Sequence, residues 1–114
     1  MDINSFINKL LHELSHLDFV DKVDFHLEIL TIKGRVFLRK EQYFLEIYYN
    51  EKTGTTAFAL IENDKRIWGI DYDNIRGWHE HPLDNPITHK QTHSMSIPEV
   101  LKEFEKVYTD LQSQ

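Results

Sequence analysis

The sequence has no cysteine, only four glycines and three prolines, and fewer basic than acidic residues. Each shortage removes a class of function. Without cysteine there is no disulfide, no thiolate metal site and no cysteine nucleophile. Four glycines leave little with which to build a glycine-rich phosphate loop, and no nucleophile elbow of the serine-hydrolase kind occurs. No apolar run approaches the roughly 20 residues that a helical bilayer crossing needs, so no membrane role is expected. The opening Met1-Asp2-Ile3-Asn4 is acidic and polar where a secretory signal is basic and then apolar, which predicts a cytoplasmic protein. A formal charge of -6 argues against coating nucleic acid with an extended basic face.

What is present is a globular composition. Of 114 residues, 40% are hydrophobic and 12% aromatic, enough for one core and therefore one domain spanning 1–114. Lys33, Arg35, Arg39 and Lys40 form one positive cluster, whose plain reading is solvated charge and whose alternative is a local basic cleft.

Phe6, Ile7, Leu10, Leu11, Leu14 and Leu17 recur three and four residues apart, predicting a helix from Asn4 to Leu17 that Asn4 or Asp2 can cap. His12 and His16 are neighbours on it and read as solvent-facing, because no H-E-x-x-H pattern accompanies them. From Val23 to Tyr72 the chain changes to β-branched and aromatic runs separated by turn residues. The runs are Asp24 to Ile32, Arg35 to Leu38 after a bend or bulge at Gly34, Tyr43 to Asn50, Thr56 to Glu62, and Arg66 to Tyr72. Short connections make them antiparallel neighbours. Ser96-Ile97-Pro98-Glu99 then supplies a capping serine, a first-turn proline and the matching glutamate, ahead of Val100, Leu101, Phe104, Val107, Tyr108 and Leu111 on one helix face. The expected fold is α+β: an N-terminal helix, a four- to five-stranded antiparallel meander, a long histidine-rich loop and a C-terminal helix.

That loop, Tyr72 to Ser94, holds His79, His81, His89 and His93 together with Pro82, Pro86 and two Asp-Asn pairs, and is expected to be ordered. His79 and His81 converge on an extended segment, and His89 and His93 converge if Thr88 to His93 forms a helical turn. Two chemistries use these groups. Four neutral imidazoles can hold zinc or a similar ion, with Glu80 or Asp84 adding oxygen. Alternatively, a metal-free pair cleaves RNA, one imidazole taking the 2′-hydroxyl proton and another protonating the leaving oxygen, while Arg76 or Lys90 stabilises the phosphate. Tyr72 and Trp78 would stack on an unpaired base, unless Trp78 closes the core, and Asp73 and Asn74 would contact substrate, unless they only shape the turn. Arg76 and Lys90 lie near histidines in the chain and oppose a divalent ion. The expectation is therefore no cofactor and no tightly bound metal. A third reading makes the loop a recognition surface of a non-catalytic protein-binding module.

Ile32-Lys33-Gly34-Arg35 as a glycine-containing first hairpin, the strand meander, and Asp73-Asn74 closing its last strand form one recognisable series. It continues with His79-Glu80-His81-Pro82, His89-Lys90, His93 and Ser96-Ile97-Pro98-Glu99-Val100-Leu101. The stretch from about Ile32 to Leu111 resembles the TumE-like toxin components of bacterial and archaeal toxin-antitoxin pairs, in which His-His-Pro tends to stand at the first histidine group. Here Ile75 to Trp78 lengthens the spacing, Glu80 splits the first pair, and Gln91-Thr92 loosens the second group. The resemblance implies functional roles at Asp73, Asn74, His79, His81, His89 and His93, and a helix-turn-helix antitoxin as partner. RNA cleavage is drawn from the residues rather than from the family. A cupin is suggested superficially by H-x-H on a β-scaffold, but that family's later glutamate and glycine spacings are absent.

Overall fold

The computed structural model describes residues 1–113. The helix α1 spans Ile3–Leu14, and seven strands follow: β1 Val20–Leu27, β2 Thr31–Leu38, β3 Tyr43–Asn50, β4 Thr56–Glu62, β5 Lys65–Asp73, β6 Gly77–His81 and β7 Lys90–Gln91. The helix α2, Ile97–Gln112, closes the fold. Each strand pairs antiparallel with the one before it, giving a single sheet in sequence order. The α+β class is as expected, but the sheet has more strands than the four or five expected. The extra ones lie in the histidine-rich stretch, where Gly77 to His81 returns along β5 instead of remaining a loop. Turn-forming residues had masked it: Asp73 Oδ1 accepts from the backbone N–H groups of Ile75 and Arg76, and Gly77 takes a positive φ of 73°, so the turn is confined to three residues, Asn74 to Arg76.

The first strands also differ from expectation. Asp24 to Ile32 is not one strand. It breaks at Glu28 to Leu30, where the Glu28 N–H donates to the Thr31 carbonyl and Glu51 N–H to that of Leu30. Ile29, a strong strand former, is almost fully exposed at that turn. Gly34 therefore sits within β2 rather than at a hairpin, and the register is continuous through it. Its role is a close approach: a Cβ there would lie 2.1 Å from the ring of Phe25. The β4–β5 turn carries Asn63 and Asp64 at positive φ, the geometry that a tight hairpin demands of its central residues.

One face of the sheet is covered by both helices. Ile32, Val36 and Leu38 alternate inward on β2, Tyr43, Leu45, Ile47 and Tyr49 on β3, and Phe58, Leu60, Trp68 and Ile70 on β4 and β5. Phe6, Leu10 and Leu14 of α1 and Val100, Leu101, Phe104 and Tyr108 of α2 meet them. Asp2 caps α1 by accepting from Ser5 N–H, and Ser96 and Glu99 form a complete capping box on α2. The caps fix where each helix begins, and burial of its apolar stripe holds it to the sheet. Among the described residues, no helix is long and apolar enough to cross a membrane.

Candidate metal centre

Alternation along β5 and β6 decides which residues share the other face. Ile70, Tyr72, Trp78 and Glu80 point toward the helices, so Asp71, His79 and His81 point away. The register places Asp71 directly opposite His79 and Gly69 opposite His81. Gly69 brings no side chain, and a Cβ there would press on the Phe58 carbonyl oxygen of β4 at 2.9 Å. The segment from Pro82 to His89 then folds over this part of the outer face through two turns, Asn85 N–H to the Pro82 carbonyl and Thr88 N–H to that of Asn85. Beneath it His79 is only 4% exposed and His81 1%.

Both buried rings are held in the same way. His81 Nδ1 lies 3.1 Å from the Pro86 carbonyl oxygen, and His79 Nδ1 lies 3.2 Å from that of Gly77. A carbonyl can only accept, so each Nδ1 carries a proton and each Nε2 is the nitrogen turned to the cluster. Both Nε2 atoms face a single acceptor, Asp71 Oδ2, at 3.1 Å for His81 and 3.5 Å for His79. Two ring nitrogens facing one part-buried carboxylate oxygen call for positive charge there, carried by a proton on a ring or by a bound cation. A proton satisfies one such contact. Here ligand atoms of three imidazoles, those of His79, His81 and His89, all lie within 4.8 Å of one another.

The three imidazoles could hold a divalent ion, with Asp71 beside the two buried ones but outside the set of mutually close donors. Zinc bound at about 2.0–2.1 Å by imidazole nitrogen holds tetrahedral neighbours roughly 3.3 Å apart, so the three rings would draw together on an ion. Backbone carbonyls on the far nitrogens are the supports that orient metal-ligating histidines. The ring of His89 is held below the ordinary histidine range, first by desolvation and then by the neighbouring charges of His81, Arg76, His79 and Arg66. A neutral imidazole is the form that coordinates. Arg76 Nη1 lies 3.0 Å from Nδ1 and 3.4 Å from Nε2 of His89, and Arg66 Nη1 lies 3.8 Å from Asp71 Oδ2, so two guanidinium groups flank the cluster.

The remaining residues singled out in the sequence are placed elsewhere. His93 is largely exposed, with Nε2 3.9 Å from Glu99 Oε2. Thr88 to His93 forms no helical turn, because Lys90 and Gln91 pair with β6, and His89 and His93 do not converge. Lys90 stands opposite Glu80 and shares its face, away from the imidazoles. Glu80 accepts from Trp68 Nε1 at 3.1 Å on the helix side. Tyr72 and Trp78 line an apolar pocket with Phe6, Met95 and Pro98 rather than an open surface. Asn74 donates to the Thr53 carbonyl and accepts from the Tyr72 hydroxyl, and Asp73, its carboxyl held low chiefly by the Arg76 backbone N–H, fixes the turn.

Sequence reasoning had missed Asp71 and Arg66. Asp71 carried a usable signal: it stands between inward Ile70 and Tyr72, so it must point outward, and a short turn after Asp73 brings an H-x-H segment back beside it. Comparison of the chain with protein-family models, curated proteins and solved structures finds no match.

Proposed function

We propose that this protein is a small RNA-cleaving enzyme of toxin type whose reaction centre is a divalent ion held by His79, His81 and His89, with Asp71 beside it. The observation that carries the metal reading is the shared orientation of the two buried imidazoles, Nδ1 on a backbone carbonyl and Nε2 turned to Asp71. Buried rings with both nitrogens engaged are poorly placed to exchange protons with a polymer, and well placed to hold an ion. The opposition of Lys90 to a metal falls away, since Lys90 lies on the other face of the sheet.

The substrate class follows from the flanking charges. A bound divalent ion would polarise a phosphoryl oxygen, and Arg66 and Arg76 would neutralise the phosphate from either side. The reaction class is transesterification at phosphorus: the 2′-hydroxyl gives its proton to water as its oxygen forms a bond to phosphorus, the bond to the 5′-oxygen breaks, and that oxygen takes a proton from water, leaving a cyclic phosphate and a 5′-hydroxyl. The sequence resemblance supports a toxin neutralised by a helix-turn-helix antitoxin, with action in the cytoplasm.

The test uses protein purified without affinity tag or chelator. Elemental analysis should find one zinc, manganese or similar ion per chain, and total RNA should be cleaved to cyclic-phosphate ends, with both lost in His81→Ala. Cleavage that persists unchanged in excess chelator would return the chemistry to a metal-free pair built on His89 and Arg76. No bound ion and no cleavage would overturn the proposal altogether.

A further inference from the structure

The outer face of the sheet continues beyond the histidine cluster, and its far half is not covered by either helix. Cross-strand register arranges its side chains in rows. One row runs Lys33, Tyr48, Ala57, Asp71, His79, and the next runs Arg35, Glu46, Ala59, Gly69, His81. A third joins Lys22, Phe37 and Phe44 to Ile61 and Arg66. On β1 the first row is headed by His26 and the second by Asp24, so the rows begin in aromatic and mixed charged residues on β1 to β3, cross Ala57 and Ala59 on β4, and end at the cluster. From Lys33 to His79 is four strand spacings, about 19 Å.

The aromatic end has specific chemistry. The Arg35 guanidinium lies over the Phe44 ring, 4.7 Å from its centroid, and Lys22 Nζ lies 5.1 Å from that of Phe37. Phe37 and Phe44 face each other across β2 and β3, and these rings and Tyr48 are only half-buried although no other element packs over them. A guanidinium over a ring adds to an aromatic surface, and both guanidinium and aromatic planes stack on nucleobases. The charge agrees. The chain as a whole carries -6, yet on this face the cations Lys22, Lys33, Arg35, Arg66 and Arg76 balance the carboxylates Asp24, Glu46, Asp71 and Asp73, and Glu46 lies 3.9 Å from Arg35.

We propose that this open face is the substrate platform, binding single-stranded RNA with bases stacked on Arg35–Phe44 and Tyr48 and phosphates on Lys22 and Lys33, so that the strand runs across β4 to the histidine cluster. The proposal rests on the RNA reading given above and adds to it the form of the substrate and the direction from which it enters. Lys33 and Arg35, whose plain reading was solvated charge, become recognition residues. A double-stranded substrate does not fit, because its bases are already stacked and cannot reach these planes.

The experiment measures binding separately from cleavage. The metal-loaded protein is titrated into a fluorescent 2′-O-methyl RNA of about 12 nucleotides, a length within the site sizes typical of such surfaces, which cannot undergo 2′-oxygen attack. The expected result is anisotropy saturating at one strand per protein. Lys33→Ser/Arg35→Ser should weaken binding more than about tenfold and flatten the dependence of log Kd on log salt by about 0.7, the share of the one phosphate contact at Lys33. Tyr48→Ser should weaken binding roughly tenfold without flattening it, which a general loss of folding would not reproduce. Circular dichroism should be unchanged in both. The inference is overturned if the variants bind as wild type does, if a duplex binds as tightly as the single strand, or if the protein forms a dimer that the double substitution breaks. RNA bound in the expected way but never cleaved would leave the platform standing and remove the reaction. Cleavage undiminished in both variants would do the reverse.

Discussion

The two faces of the one sheet are built by different rules. The helix-side face is apolar almost without interruption from Ile32 to Ile70, and what fixes each residue is the volume left by its neighbours. The outer face alternates charge, ring and small side chain, and what fixes each residue there is a partner's chemistry: a carbonyl for His81, a carboxylate for Arg66, a ring for Arg35. Substitution should therefore be punished in separate currencies, stability on one face and ligand binding on the other.

The largest effect expected on stability comes from the helix side. Phe104 is fully buried, and Phe104→Ala should cost about 3–5 kcal/mol, seen in urea unfolding, while zinc still binds one per chain. Next is the ligand itself: zinc at about 100 times its Kd should raise unfolding free energy by about 2.7 kcal/mol, and His81→Ala should abolish that gain. A calorimetric melt with and without zinc decides it, and equal melting in both would break the contrast between the faces. Smaller again is Asp71→Asn, which preserves shape but removes the charge between the two Nε2 atoms. Zinc affinity measured by titration should fall about 10- to 100-fold, as for other groups supporting metal ligands.

The smallest effect concerns the helix caps, which lie far from both ring platform and cluster. Asp2 and Glu99 are held below the ordinary carboxylate range, first by the backbone N–H groups of Ser5 and Ser96 respectively. Their contribution is complete above the unfolded-state values and disappears as pH falls through the lower folded values. The melting temperature should thus decline below about pH 5, and Asp2→Asn with Glu99→Gln should flatten the decline while leaving RNA binding at neutral pH untouched.

The legibility of the two faces in sequence differs for the same reason. Tyr43, Leu45, Ile47 and Tyr49 alternate, and Phe6, Leu10 and Leu14 recur at helical spacing, so burial could be read from order alone. The box at Ser96 and Glu99 marked α2 equally well. What failed was local chemistry that serves a distant contact. Ile29 looked like strand interior and is an exposed turn, and Gly34 looked like a bend and accommodates Phe25. His79 and His81 were legible as a converging pair from their spacing. His93 was not separable from His89, because a two-residue strand, Lys90–Gln91, decides which of them returns to β6. Asp71 lay outside the histidine-rich window altogether, and only the register of β5 with β6 brings it in.

The strict sequence order of the sheet bears on the order in which its two faces are laid down during synthesis. Each strand needs only the strand just before it, so pairing proceeds through local contacts and can keep pace with chain growth. Lys22, Arg35, Phe44 and Tyr48 are made before Asp71, His89 comes later still, and α2, which completes the core, comes last. A nascent chain cut short ahead of β6 would hold the residues of the proposed platform without those of the cluster.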